Sequence, residues 1–358
     1  MKFGIKTGLI LSVALCCAAS ERLELIRAGR AEFVTLNNRK IHKLEQQVHF
    51  RQGDAYLRCE KAFFDVEADR ADLYDQVEIY DGKHRLFGDR VIYETQQKTE
   101  RAAGNVRLIQ EGRILQADSV VYQQEIRQAN AFGNVTMTDV IENVTLTAQK
   151  VFYDRLKDYG VAWGSPEVIQ QDTTSEDSLI ISGNKMEVWG GEQKAIITDT
   201  VIIRKADLKA VSNRAVFYSD TENLLLYESP EMVEQNRVIR GDSMHIQLSD
   251  SDFKGGQVFG KASIVSVDSV FEDVLNGDMI TMNAENDSVR TVVVDRQAEN
   301  VYHIFNDDQE LEGVNEIDGD RIVMKFSGKK LTYVRVESTP GESRGKFIPA
   351  GYQRGRSE

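Results

Sequence analysis

The sequence predicts an all-β protein: an elongated, repeat-built, twisted β-jelly roll of stacked antiparallel strands in two facing sheets. Three observations lead there. One short motif recurs about nine times in 358 residues, its columns alternate between apolar and polar residues, and the spacing of its second block drifts from 29 to 42 residues. Alternation at period two sends successive side chains to opposite faces of a strand, and a helix of period 3.6 would not hold such columns. Unequal spacing suits hairpin arms of variable length better than the coils of a parallel β-helix, which is the alternative topology.

The first element is an address rather than part of the fold. In residues 1–20, Lys2 and Lys6 form a positive region, Gly8 to Ala19 an apolar stretch, and Cys17-Ala18-Ala19 a small-residue cleavage site, the pattern of a secretory signal. The apolar stretch is too short for a bilayer core of about 30 Å. Removing this segment takes two lysines and no acids, so the formal charge of −13 becomes −15. Cys16 or Cys17 as a lipidated cysteine is the alternative, although Leu15 and Cys16 precede them where such sites favour Gly, Ala or Ser.

Residues 21–337 form the repeated body. Gly104-Asn105-Val106 and Gly133-Asn134-Val135 lie 29 residues apart, and Asp75-Gln76-Val77 lies 29 before the first. In this register the leading apolar residues are Val48, Val77, Val106, Val135, Val168, Val201, Val233, Ile264 and Val301. A second block follows each, opening with a small then a polar residue: Cys59-Glu60, Gly88-Asp89, Ala117-Asp118, Ala148-Gln149, Gly183-Asn184, Ser212-Asn213, Gly241-Asp242, Gly277-Asp278 and Gly319-Asp320.

Two residues past the polar position stand Ala62, Val91, Val120, Val151, Met186, Ala215, Met244, Ile280 and Ile322. Four past it stand Phe64, Tyr93, Tyr122, Tyr153, Val188, Phe217, Ile246, Met282 and Met324. The column between them is mostly basic or hydroxyl, from Lys61 and Arg90 to Arg321. One face is therefore wet and the other buried, in residues that favour strands. Gly82, Gly112 and Asn143 are read as turns between strands. A unit of about 30 residues cannot bury its apolar face alone, so neighbours must stack.

Residues 338–358 change character. Gly341, Gly345, Gly351 and Gly355 alternate with Arg344, Lys346, Arg354 and Arg356, which reads as a basic, unstructured tail.

Composition removes several functions. A net charge of −13 argues against nucleic acid as a partner. After the signal no run of about 18 apolar residues remains to span a membrane as a helix. With two of the three cysteines in the signal, Cys59 cannot build a zinc ribbon or a disulfide framework, and it reads as a small buried residue. Asp89, Asp118, Asp242, Asp278 and Asp320 share a column with Glu60, Gln149, Asn184 and Asn213, so it reads as a structural turn position rather than a calcium ladder. His245 has no histidine or cysteine at ligand spacing, and there is no nucleophile elbow, phosphate loop or HExxH. No catalytic residue, metal or cofactor is expected.

At these columns the sequence resembles the OstA-like family: periplasmic lipopolysaccharide-transport bridge proteins, their inner-membrane partner, and the N-terminal domain of the outer-membrane assembly barrel. The likeness rests on the Gly-Asn-Val starts at residues 104–106 and 133–135 and the Ala-Asp-x-x-x-Tyr block at Ala117, Asp118 and Tyr122. Its relatives are Gly88 to Tyr93, Ala148 to Tyr153 and the closing Gly319-Asp320-Arg321-Ile322-Val323-Met324. The chain is longer than a simple bridge subunit and has no long alternating barrel segment.

The resemblance implies a taco-like jelly roll whose apolar interior shields acyl chains while sugars and phosphates stay outside. The implied groove lining is Phe64, Val91, Tyr93, Val120, Tyr122, Val151, Tyr153, Met186, Val188, Phe217, Met244, Ile246, Ile280, Met282, Ile322 and Met324. It further implies lipopolysaccharide or a related lipid as ligand, a periplasmic location, and end-to-end strand addition with other OstA-like domains. Strands near Glu32 to Leu36 and Leu331 to Val336 are the candidates for that joining. A β-helix carbohydrate-active enzyme and a solid structural β-stack are the alternatives.

Overall fold

The computed structural model describes residues 22–36, 39–94, 97–171, 178–249, 252–268, 270–285, 288–306, 308, 310–328, 330–339 and 343–351. The signal segment, with Cys16 and Cys17, lies outside the described residues. By contacts the chain divides into two compact units, the first ending at Ala195 and the second starting at Ile196.

The first unit contains β1 (Glu24–Arg27), β2 (Arg30–Leu36), β3 (Arg39–Gln52), β4 (Ala55–Asp65), β5 (Arg70–Tyr80), β6 (His84–Glu94) and β7 (Thr99–Gln110). It continues with β8 (Arg113–Gln123), β9 (Gln128–Asp139), β10 (Val144–Asp154), β11 (Tyr159–Trp163), β12 (Glu167–Gln171), β13 (Ser178–Ser182) and β14 (Lys185–Trp189). From β3 to β10 each strand pairs antiparallel with the next, as the hairpin reading predicts and a parallel β-helix does not.

Every ladder in this meander breaks at mid-strand. Between β3 and β4, for example, residues 41–45 pair with 61–65 and 48–52 with 55–59, with a register shift between. The cause is a corner. On alternate strands two consecutive residues take left-handed backbone angles: Gln46 and Gln47 (φ 68° and 52°), Asp75 and Gln76 (63° and 54°), Gly104 and Asn105 (76° and 48°), Gly133 and Asn134 (73° and 45°). On the strands between stands the small–polar block.

The two features interlock. Asn105 Nδ2 donates to Asp89 Oδ2 at 2.8 Å, and Asn134 Nδ2 donates to Asp118 Oδ2 at 3.1 Å. A Cβ at Gly133 would stand 2.1 Å from Asp118 Oδ2 and one at Gly104 2.4 Å from Asp89 Oδ2, so glycine leaves room for the aspartate at these two corners and takes the left-handed φ without strain. The aspartate column is a corner fastening.

Each strand thus has two arms. In β4, Ala55, Leu57 and Cys59 are buried before the corner and Ala62 and Phe64 after it; in β5, Ala71 and Leu73 precede it and Val77 and Ile79 follow. Both arms turn their apolar side chains into one interior, and the arms form two facing layers. At either end of the meander the layers take separate strands: β1 pairs with 49–51 and β2 with 39–45, while β12 pairs with 144–147 and β11 with 150–154. β13 then extends β12, and β14 extends β11.

The second unit is built alike. Its strands are β15 (Lys194–Lys205), β16 (Leu208–Tyr218), β17 (Asn223–Tyr227), β18 (Glu231–Glu234), β19 (Arg237–Arg240), β20 (Ser243–Ser249) and β21 (Asp252–Asp268). β22 (Phe271–Glu285), β23 (Ser288–Phe305), β24 (Leu311–Ser327), β25 (Lys330–Glu337) and β26 (Arg344–Pro349) complete it. The left-handed pairs recur at Asp199 and Thr200, Glu228 and Ser229, Gly260 and Lys261, and Arg296 and Gln297.

Two expectations are corrected. Residues 344–349, read as part of an unstructured tail, form β26, which pairs with residues 313–318; its Phe347-Ile348 core was masked by the surrounding Gly and Arg. The leading column also slips in the later repeats. The residues that follow the corner pairs are Pro230 and Ala298, both buried, so Val233 and Val301, three positions on, point away from the interior while Met232 and Asn300 point in. A valine search found the nearest valine; the backbone marks the corner.

Candidate functional site

In the first unit the inward columns join into unbroken rows across the ladder. Next to the corners runs Ala62, Leu73, Val91, Ala102, Val120, Ala131, Val151, Ala162 and Met186, each paired directly with the next. Towards the rim runs Phe64, Ala71, Tyr93, Glu100, Tyr122, Ala129, Tyr153, Gly160 and Val188. From Val91 to Ala162 in the first row, and at Ala71, Ala129 and Gly160 in the second, small residues separate larger ones, which lets neighbouring side chains fill the interior without collision.

Of the sequence-predicted residues in this unit, Phe64, Val91, Tyr93, Val120, Tyr122, Tyr153 and Met186 are buried, and Val151 and Val188 half-buried. In the second unit Phe217, Met244, Ile280, Met282, Ile322 and Met324 are buried, and Ile246 half-buried. Sequence reading took every second member of each row. It missed Leu73, Ala102 and Ala131, which stand four residues before Val77, Val106 and Val135, and, in the facing layer, it read the leading Val48, Val77, Val106 and Val135 but not the buried Phe50, Leu57, Ile79, Leu86, Leu108, Leu115 and Met137. A column counted backwards from each leading valine would have found the first set.

Among the described residues Leu115, Val120, Ala129, Ala131, Met137, Val151 and Tyr153 line a cavity of about 20 Å³, room for about one water molecule and too small for an acyl chain.

The rim is polar. Gln52 and Glu100 are 1% and 2% exposed, and His84 is also buried. Tyr93 Oη donates to Gln52 Oε1 from one layer to the other, and Gln124 Nε2 donates to Glu100. Tyr153 Oη donates to Asp158 Oδ1 at 3.2 Å; burial, reinforced by the Asp158 charge, pushes its phenol up to about 12. Arg113 Nε holds the buried Asp139 Oδ2 at 3.0 Å. Burial pushes the Asp139 carboxyl up, but the Glu142 and Ile141 backbone N–H groups and Arg113 outweigh it and leave it below the usual carboxylate value.

Other candidate groups have structural partners. Cys59 is buried, and burial pushes its thiol up to about 12, which suppresses the thiolate. His245 Nε2 lies 3.0 Å from Asn223 Oδ1. Among the described residues no three His, Cys, Asp or Glu side chains gather as a metal set. Outside the first unit's corners, cations lie over rings: Arg90 over Tyr74 at 5.0 Å, and Lys150 over Phe132 at 5.3 Å and Trp163 at 5.1 Å.

Comparison with known proteins gives two family matches. Residues 20–124 match the family described as OstA-like protein, and residues 96–252 match the LptA/(LptD N-terminal domain) LPS transport protein family. No curated protein matches significantly. Among solved structures the chain is similar to LptH, described as the LptA homologous periplasmic component of the conserved lipopolysaccharide transport device from Pseudomonas aeruginosa. That likeness has 15% identity, a TM-score of 0.31, and covers 34% of this chain and 94% of that one.

Proposed function

Residues 20–252 of this chain are OstA-like in sequence, and from that premise we propose that it is a non-enzymatic, periplasmic carrier of lipopolysaccharide or a related lipid. The acyl chains lie between the two layers of each unit and the sugars outside. An acyl chain meeting water loses roughly 0.8 kcal/mol per methylene, so a carrier needs apolar lining without a gap rather than one deep pocket. The row from Ala62 through Val91, Val120 and Val151 to Met186, apolar at every strand, is the observation that carries this reading. Movement is passive, with direction supplied by an energy source elsewhere.

Joining end to end with other OstA-like domains is part of the same proposal. β1 and β2 each have one described partner, β3, and β25 and β26 each have one, β24. Their free edges carry exposed Ile26, Phe33, Tyr333 and Phe347. Such edges are either capped or used for strand addition.

A photo-crosslinking amino acid at Tyr122 or Phe217 is expected to capture lipopolysaccharide, and one at Arg90 or Lys150 is not; equal capture at all four overturns the proposal. The small cavity beside Val120 and Tyr153 favours a second reading, a solid structural stack. Mass spectrometry of lipid extracted from the purified protein separates the two, since a solid stack yields none.

A further inference from the structure

We infer that lipid enters the first unit sideways, through its polar rim, and that the Tyr93–Gln52 hydrogen bond is the latch on this opening. The inference rests on the carrier reading above and adds where the two layers part.

Chain connectivity decides which border can open. Every strand from β3 to β10 passes between the layers at its corner, where the backbone is continuous. The hairpin turns lie at the opposite border. Those after β3, β5, β7 and β9 join arms within one layer, and those after β4, β6 and β8 join arms within the other. No meander backbone therefore crosses the rim, and side chains alone hold it shut. Tyr93 Oη donates to Gln52 Oε1 across it, with both residues buried.

The corners supply the hinge. The ladder lapses at each of them, and paired left-handed residues carry the bend, so rotation there disturbs few backbone hydrogen bonds. Between Leu115, Val120 and Tyr153 the cavity of about 20 Å³ admits no acyl chain unless the layers part there.

The chemistry of the rim suits the ligand's own border. Glycolipids carry amide, ester and hydroxyl groups between acyl chain and sugar, and a parted rim presents phenol, amide and carboxylate from Tyr93, Tyr122, Gln52 and Glu100 at that depth. Threading from an end would instead draw those polar groups along the apolar row.

The test uses the full chain with Cys59→Ser, Gln52→Cys and Tyr93→Cys, the new thiols bridged by dibromobimane, and cis-parinaric acid fluorescence as the uptake signal. Bridging is expected to slow uptake at least tenfold against the unbridged protein, and Tyr93→Phe, which keeps the ring, to speed it severalfold. Uptake at equal rates with and without the bridge overturns lateral opening and leaves the carrier reading standing. No uptake by any form, the unaltered chain included, overturns both.

Discussion

The rings of Phe50 and Phe64 meet edge to face with centroids 5.3 Å apart, although Phe50 pairs across the ladder with Leu57, seven residues from Phe64 along β4. In an unbent strand seven residues span about 23 Å. The contact exists because the corner after Cys59 doubles the strand back, so the two layers pack through such pairs.

Phe50 is 1% exposed. Phe50→Ala should cost about 3–5 kcal/mol, read as a lower urea midpoint at an unchanged slope, since it opens a cavity on both layers. Phe132→Ala, on the outer face, should cost less than about 1 kcal/mol. Equal costs would mean that the layers do not pack on each other.

Gly133→Ala should destabilise by about 1–3 kcal/mol, from left-handed strain and from the clash with Asp118. Adding Asp118→Ala removes the clash but not the strain, so the double variant should recover part of the thermal midpoint. A double variant no more stable than Gly133→Ala would show that Asp118 does not press on this corner.

Acid should weaken the first unit. Asp139 and Asp154 are buried, which pushes both carboxyls up, yet hydrogen bonds outweigh burial and hold both below the ordinary value: the Glu142 and Ile141 N–H groups and Arg113 for Asp139, and Gln128 with the Lys157 and Leu156 N–H groups for Asp154. A lowered folded pKa gives stability that is whole above the unfolded value, about 3.9, and lost as pH falls through the folded one. Urea midpoints should stay level from neutral pH to about 5 and then drop, with a shallower drop in Asp139→Asn. An unchanged drop in that variant would remove Asp139 from the account.

Phe33 is 75% exposed on β2 and packs against His42 at 4.7 Å. If this edge joins copies, Phe33→Asp should raise the concentration needed for association at least tenfold in light scattering while leaving the thermal midpoint within about 2 °C. Association at the unaltered concentration would exclude this edge.

What the sequence made legible follows from which physics is local. Alternation at Val91 and Tyr93 or Val120 and Tyr122 is written in adjacent letters, so strands and buried face could be read directly. Glycine marks the corner in the sequence at Gly104, Gly133 and Gly260. Gln46-Gln47 and Arg296-Gln297 take the same backbone angles with no compositional mark, because their conformation is imposed by the strands on either side. The sealed rim was beyond reach for another reason: Tyr93 and Gln52 are 41 residues apart, and no pattern in either repeat predicts that a phenol in one layer finds an amide in the other.

The corner fastening makes the meander divisible. Excising residues 104–132, one period of 29, would join Ala103 to Gly133 and set Asp89 against Gly133 and Asn134 in place of Gly104 and Asn105. The splice restores the same donor, acceptor and glycine, so a chain of this design can be shortened or lengthened by whole periods, and reach becomes a matter of copy number.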